Sequence, residues 1–120
     1  LASPLAEIRK AGCLAGLAFN PATPLSEVEP FLDQIDLLLA MTVVPGFGGQ
    51  SFMPEGMPKV EEAVRLRSEL ALEFHIEVDG GIDPSTAVAA SAAGANVLVA
   101  GSSTFKAPDM SAAVRAFRDA

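Results

Sequence analysis

The sequence has little cysteine, few aromatic residues and few basic side chains. Its 120 residues include one cysteine, Cys13, and neither tryptophan nor tyrosine. A lone cysteine cannot form an internal disulfide, and the chain opens with no segment resembling a signal peptide. Both features favour a reducing compartment, so we expect a cytoplasmic location and a thiol that is buried and unreactive.

The charge balance is acidic, with 8 lysines and arginines against 15 aspartates and glutamates. No basic cluster offsets this balance, which excludes nucleic acid as a partner. The longest apolar run, residues 37–41, is far shorter than the roughly 18 residues of a membrane span, so no membrane association is expected. Because 50% of the residues are apolar, the chain can bury a core, and its length predicts one domain covering residues 1–120.

Short apolar runs alternate with longer segments whose apolar residues recur at helical spacing, a pattern typical of repeated βα units. The four expected strands are residues 14–19, 37–43, 74–78 and 97–100. In three of the expected helices between and after them the apolar residues at helical spacing are Leu25, Val28, Leu32 and Ile35; Val60, Ala63, Val64 and Leu70; and Met110, Ala113, Val114 and Phe117. A further helix at the start should end at Gly12.

Helix starts are marked by a capping side chain followed by proline. Thr23 precedes Pro24 and Asp83 precedes Pro84, and each pair suits a helix N-terminus.

One βα unit of a (β/α)₈ barrel takes about 31 residues, so this chain corresponds to about four units, or half a barrel. A small open doubly wound sheet is the alternative architecture.

Glycine-rich turns follow three of the expected strands. They are residues 45–50, residues 80–81 after Asp79, and Gly101-Ser102 ahead of a short helix at 103–105. The carboxyl ends of parallel strands meet at one rim, where glycine lets backbone amides converge on an anion. We therefore expect a phosphorylated small molecule to bind there despite the negative net charge, although each turn could also be a plain flexible connection.

Asp79 is the carboxylate that a strand end delivers to this rim, which makes it the candidate for proton transfer; a turn-forming role ahead of the two glycines is the alternative. Glu77 shares its face and should lie deeper, as a member of a structural network. His75 is expected in the core or at the opposite rim rather than as a metal ligand. Met41, near the end of the second expected strand, either packs in the core or lines the expected binding pocket at the rim.

Taken together, five segments resemble the C-terminal half of the ribulose-phosphate 3-epimerase family. They are MTVVPGFGGQSF at 41–52, EVDGGI at 77–82, VAGS at 99–102, AGL at 15–17 and NPATP at 20–24. The resemblance covers nearly the whole chain. One departure is Val44, where the family usually has asparagine, and this affects a local polar contact.

The resemblance implies a (β/α)₈ TIM barrel of the pentose phosphate pathway that interconverts D-ribulose 5-phosphate and D-xylulose 5-phosphate. It implies that Asp79 is the proton donor and a ligand of a divalent ion that stabilises an enediolate, with zinc expected and iron, manganese and cobalt as alternatives. The positions implied to hold the sugar phosphate are Met41, Gly46, Phe47, Gly48, Gly49, Gly80, Gly81, Gly101 and Ser102.

The family's second carboxylate, its two metal-binding histidines and a substrate-contacting serine belong to its first half and have no counterpart here. We therefore expect the chain to be inactive by itself. A half barrel leaves two strand edges and its inner apolar face uncovered, so we also expect association, and the complete protein is expected to be a homo-oligomer. Two other functions stay open. They are a 3-epimerase acting on a six-carbon ketose phosphate and a non-catalytic phosphate-binding half-barrel module.

Overall fold

A computed structural model describes residues 2–43 and 51–120. In chain order the elements are α1 (Ala2–Lys10), β1 (Gly16–Phe19), two 3₁₀ helices (Leu25–Glu27 and Glu29–Gln34), β2 (Leu37–Met41), a third 3₁₀ helix (Pro54–Gly56), α2 (Met57–Glu69), β3 (His75–Asp79), α3 (Pro84–Ala93), β4 (Val97–Val99), α4 (Ser102–Phe105) and α5 (Met110–Asp119). No helix in the described part of the chain is both long enough and apolar enough to cross a membrane.

The four strands form one parallel sheet in the order β1-β2-β3-β4. Each strand therefore lies beside the one that precedes it in the chain, with helical segments between them. A doubly wound sheet instead reverses its strand order at a switch point, and this sheet contains no such reversal among its described strands. The fold is four consecutive βα units of a TIM barrel, as predicted.

The two faces of the sheet have different surroundings. Leu38, Ile76 and Val78 are completely buried beneath the helices, whereas the alternate residues Met41 and Asp79 are only half-buried on the opposite face. This second face corresponds to the barrel interior, and we call it the open face. The helices that cover the first face contribute buried residues at regular spacing, namely Val60 and Ala63 of α2 and Ala87 and Ala90 of α3.

The start of the sheet differs from the prediction. Strand β1 begins at Gly16, which pairs with Leu37, while Leu14 stays outside the ladder and is 82% exposed. Gly12 ends α1 as predicted, with a left-handed φ of 86°. Cys13 follows it in the connection to β1 and is exposed, so the prediction of a buried thiol is wrong.

The segment between β1 and β2 was predicted as one α-helix and forms two 3₁₀ helices. Pro30 explains the difference, because proline in a helix interior lacks the N–H of an α-helical hydrogen bond and clashes with the preceding turn. The four apolar residues of this segment are nevertheless all buried, namely Leu25, Val28, Leu32 and Ile35. Thr23 does not cap the segment: the cap position belongs to Pro24, without a side-chain hydrogen bond among the described residues.

The helix start at Pro84 agrees with the prediction. The Asp83 carboxylate accepts hydrogen bonds from the backbone N–H groups of Ser85 and Thr86, and the Thr86 hydroxyl accepts from the Asp83 N–H. This reciprocal capping box satisfies amide groups that would otherwise have no partner inside the helix. Asp83 thereby fixes the start of α3, directly after the turn that follows β3.

Helix α2 turns its polar side to solvent as predicted. Arg65 pairs with Glu69 at 2.9 Å and with Glu62 at 3.3 Å on this exposed face. The hydrogen bond and the negative charge of Glu69 raise the pKa of the Arg65 guanidinium above its ordinary value. Leu70 was predicted to face inward, and this prediction is wrong. Leu70 follows the last helical residue and is 49% exposed.

Candidate active site

The carboxyl ends of β2, β3 and β4 lie side by side at one rim. Met41 and Asp79 are register partners across β2 and β3, and Val99 is the partner of Asp79 on β4. Because side chains alternate along a strand, these three residues share the open face. The structure therefore brings Met41 beside Asp79, the two residues that the sequence placed in the candidate site on different strands.

Thr42 links the end of β2 to the turn that follows β3. Its backbone N–H donates to the Asp79 carbonyl at 3.0 Å, and its hydroxyl donates to the Gly80 carbonyl at 2.5 Å. Thr42 is completely buried. The sequence analysis assigned it no role of its own within the expected strand 37–43, yet a single hydroxyl at the end of a buried strand was the available signal.

Gly80 and Gly81 have left-handed backbones, with φ values of 129° and 69°. A Cβ added at Gly80 would lie 2.6 Å from a methyl group of Val43, and one at Gly81 would lie 2.6 Å from the Phe52 backbone nitrogen. Glycine is thus required at both positions by conformation and by space. The same contacts place Val43 and Phe52 against this turn.

Val43 and Phe52 stand on either side of the segment that carries four of the nine positions predicted to hold the sugar phosphate. Gly46, Phe47, Gly48 and Gly49 lie outside the described residues. The residues that flank this segment are joined by a hydrogen bond of 2.7 Å from the Met53 N–H to the Thr42 carbonyl. Both flanks of the segment therefore meet at the turn after Asp79.

The third predicted turn joins the same rim. Gly101 precedes α4, which begins at Ser102, and no side chain of the described residues caps this helix. The Ser103 hydroxyl donates to the Ile82 carbonyl at 2.5 Å, which ties α4 to the segment after Gly81. Gly101 and Ser102 are thereby held on the side of the molecule that carries Gly80 and Gly81.

The charged residues of β3 are distributed along the strand rather than clustered. His75 is exposed at the opposite rim, as predicted, with its Nδ1 3.2 Å from the Asn96 side-chain nitrogen. Four residues of strand place it about 13 Å from Asp79. Glu77 lies between them, half-buried, and its side chain makes no hydrogen bond within the described ranges, so the expected network is absent there.

The described residues contain no group of three or more histidine, cysteine, aspartate or glutamate side chains that could together hold a metal ion. A catalytic zinc ion normally takes at least three protein ligands. Asp79 can supply one carboxylate oxygen at the rim, but this part of the chain does not complete a ligand set.

The fold and its rim define a TIM-barrel class of protein whose candidate site lies at the carboxyl ends of the strands. The sequence model described as the ribulose-phosphate 3 epimerase family matches residues 1–105. This match covers most of the chain, and the chain belongs to that family.

Curated relatives agree with this assignment. Ribulose-phosphate 3-epimerase of Escherichia coli K12 is 47% identical over 102 residues, which cover 85% of this chain and 45% of the relative. The Synechocystis enzyme of the same name is 45% identical over 115 residues, covering 96% of this chain and 50% of the relative. The chain therefore spans about half the length of these relatives.

A solved structure supports the fold alone. The 3-hexulose-6-phosphate synthase of Salmonella typhimurium matches with a TM-score of 0.64 at 18% identity. The match covers 98% of this chain and 54% of that one. Four βα units thus superpose on about half of a TIM-barrel enzyme.

Proposed function

We propose that this chain supplies the proton donor and part of the phosphate site of a ribulose-phosphate 3-epimerase, which interconverts D-ribulose 5-phosphate and D-xylulose 5-phosphate. The observation that carries the proposal is the position of Asp79. Its carboxylate stands on the open face beside Met41, directly before two glycines with left-handed backbones, in a member of this family.

The proposed chemistry is proton exchange at the carbon next to the ketone. A base on one face of the sugar removes the C3 proton, and the electrons of that bond form an enediolate. The protonated Asp79 carboxyl group then donates its proton to C3 from the opposite face, which inverts the configuration. One carboxylate serves one face only, so the base must come from outside this half barrel.

The phosphate group is proposed to bind the backbone amides of the rim turns. Gly80, Gly81 and the Gly101-Ser102 pair are glycine-rich positions at which the backbone can approach an anion closely. Residues 46–49 are proposed to complete the site. Local amide dipoles attract phosphate at short range although the net charge of the chain is −7.

A divalent ion, with zinc as the expected metal, would supply Lewis acidity to the reaction, and Asp79 would be one of its ligands. The described residues do not hold such an ion by themselves. The remaining ligands are therefore proposed to lie outside them, together with the base. The complete enzyme is also proposed to be cytoplasmic, because the chain has a single cysteine, and homo-oligomeric, because a half barrel leaves its strand edges uncovered.

The test joins this chain to the first half of the Escherichia coli relative and measures conversion of D-ribulose 5-phosphate. The chain alone should be inactive and the fusion active. Asp79→Asn in the fusion should lower the rate by about 10²–10⁴-fold, the contribution usual for a positioned acid. The matched control is Asp109→Asn, which changes a carboxylate that caps α5 and should leave the rate within threefold.

A folded fusion in which Asp79→Asn keeps the wild-type rate would contradict the role of Asp79. Rates with the corresponding six-carbon ketose phosphate distinguish the two substrate classes. Binding of D-ribulose 5-phosphate by a fusion that shows no turnover would instead support a non-catalytic module.

A further inference from the structure

Thr42 occupies an unusual position among the residues that the structure describes. Its side chain is the one polar side chain that is completely buried there. Through three hydrogen bonds it joins the end of β2, the turn after β3 and the segment leading to α2. None of the functional assignments above uses this residue.

Two of these bonds act on consecutive carbonyl groups. The Thr42 N–H binds the Asp79 carbonyl at 3.0 Å and the hydroxyl binds the Gly80 carbonyl at 2.5 Å. One bond would let the chain pivot about it. Two bonds from one buried residue fix the peptide planes on both sides of the Gly80 Cα, and the first of these planes is also the one that follows the Asp79 Cα.

We propose that Thr42 is a positioning residue that aims the Asp79 carboxylate at the open face of the sheet. This inference rests on the proposed function, in which Asp79 must meet the reacting carbon from one side. A proton donor works only within hydrogen-bond reach of its target, so a small rotation of the turn would remove it from reach.

The hydroxyl is the decisive group. Gly80 has a left-handed backbone, and its half-buried carbonyl accepts the hydrogen bond from the Thr42 hydroxyl. Without the hydroxyl, the turn would have to rotate to give this carbonyl another partner. The Thr42 methyl group lies near a different residue, Gly56: a Cβ added to Gly56 would be 3.4 Å from this methyl group.

This division of roles provides a matched pair of variants. Thr42→Val keeps the shape and the methyl group but removes the donor, whereas Thr42→Ser keeps the donor and removes the methyl group. Ser91→Ala is the control, because it removes a hydroxyl that donates to the Ala120 carbonyl at 3.1 Å, away from the rim.

The experiment measures residual dipolar couplings of the Asp79 and Gly80 backbones by NMR, together with binding of D-ribulose 5-phosphate. Thr42→Val should change the couplings and weaken binding at least fivefold. Thr42→Ser and Ser91→Ala should keep wild-type couplings and an affinity within twofold. A residue that only stabilises the fold would lower the melting temperature without rotating Asp79 in the folded state.

Unchanged Asp79 couplings in folded Thr42→Val overturn the inference. If that variant does not fold, Thr42→Ala removes the donor in its place, and wild-type couplings in folded Thr42→Ala would likewise overturn the inference, since Thr42→Ser loses the same methyl group but keeps the hydroxyl. If the wild-type chain binds no D-ribulose 5-phosphate, the proposed contribution of this half to substrate binding fails. The couplings still decide the role of Thr42 in that case.

Discussion

Replacing Gly81 by alanine tests the claim that the turn after Asp79 is packed against the segment leading to α2. Two costs follow from the structure. The left-handed backbone of Gly81, with φ of 69°, disfavours an L side chain by about 1–2 kcal/mol. The new Cβ would also lie 2.6 Å from the nitrogen and 2.8 Å from the Cα of Phe52, both backbone atoms that move only with the chain.

Forced contacts of this kind cost about 1–3 kcal/mol, so Gly81→Ala should lower the free energy of unfolding by about 2–5 kcal/mol in total. At about 4 °C for each kcal/mol, the melting temperature should fall by about 8–20 °C. Urea denaturation followed by far-UV circular dichroism gives the free energy, and a thermal scan gives the melting temperature.

Two further variants separate the two costs. Gly81→Asn retains the contact with Phe52 but tolerates the left-handed backbone better, and it should recover about 1 kcal/mol. Gly16→Ala is the matched control, because its Cβ would meet its nearest neighbour, the Leu37 carbonyl oxygen, at an ordinary 3.5 Å. A loss below 1 kcal/mol for Gly81→Ala, or equal losses at Gly81 and Gly16, would refute the packing argument.

Two other predictions concern a helix start and the open face. Asp83→Ala should lower the free energy of unfolding by about 1 kcal/mol because it removes the capping box, whereas Asp83→Asn should keep most of it. Equal losses in urea denaturation would contradict this role. Leu39 is half-buried on the open face, so sedimentation velocity should show association that increases with concentration and is weakened by Leu39→Lys. A monomer at all concentrations would show that the uncovered sheet face does not drive association.

The candidate site was only partly predictable. The position of Asp79 and its two glycines at the rim could be predicted because a short apolar run followed by a glycine turn marks the end of a buried strand. Thr42 was missed because its proposed role comes from the two carbonyls that it binds, and these belong to the end of β3 and the turn after it, 37 and 38 positions later in the chain. Hydrogen bonds across that separation leave no periodic pattern in the sequence.

Two of the predictions about the fold that were wrong depended on features that residue type and spacing do not show. Apolar spacing correctly predicted that Leu25, Val28, Leu32 and Ile35 are buried, but it could not distinguish an α-helix from two 3₁₀ helices around Pro30. Cys13 was expected to be buried because of its residue type, yet its environment depends on how the chain leaves α1 for the sheet. Residue type and spacing describe tendencies, and packing decides the outcome.

The amino-acid order alone determined the alternation of strands and helices, since apolar periodicity and turn residues act over a few positions. It also singled out Asp79 as the candidate for acid chemistry and the glycine-rich turns as candidates for phosphate binding. Only the tertiary structure decided which of them meet at one rim, because strand register and the bonds from Thr42 connect parts of the chain that are distant in sequence. Side-chain direction depends on those long-range contacts, and for Asp79 that direction is what the proposed chemistry requires.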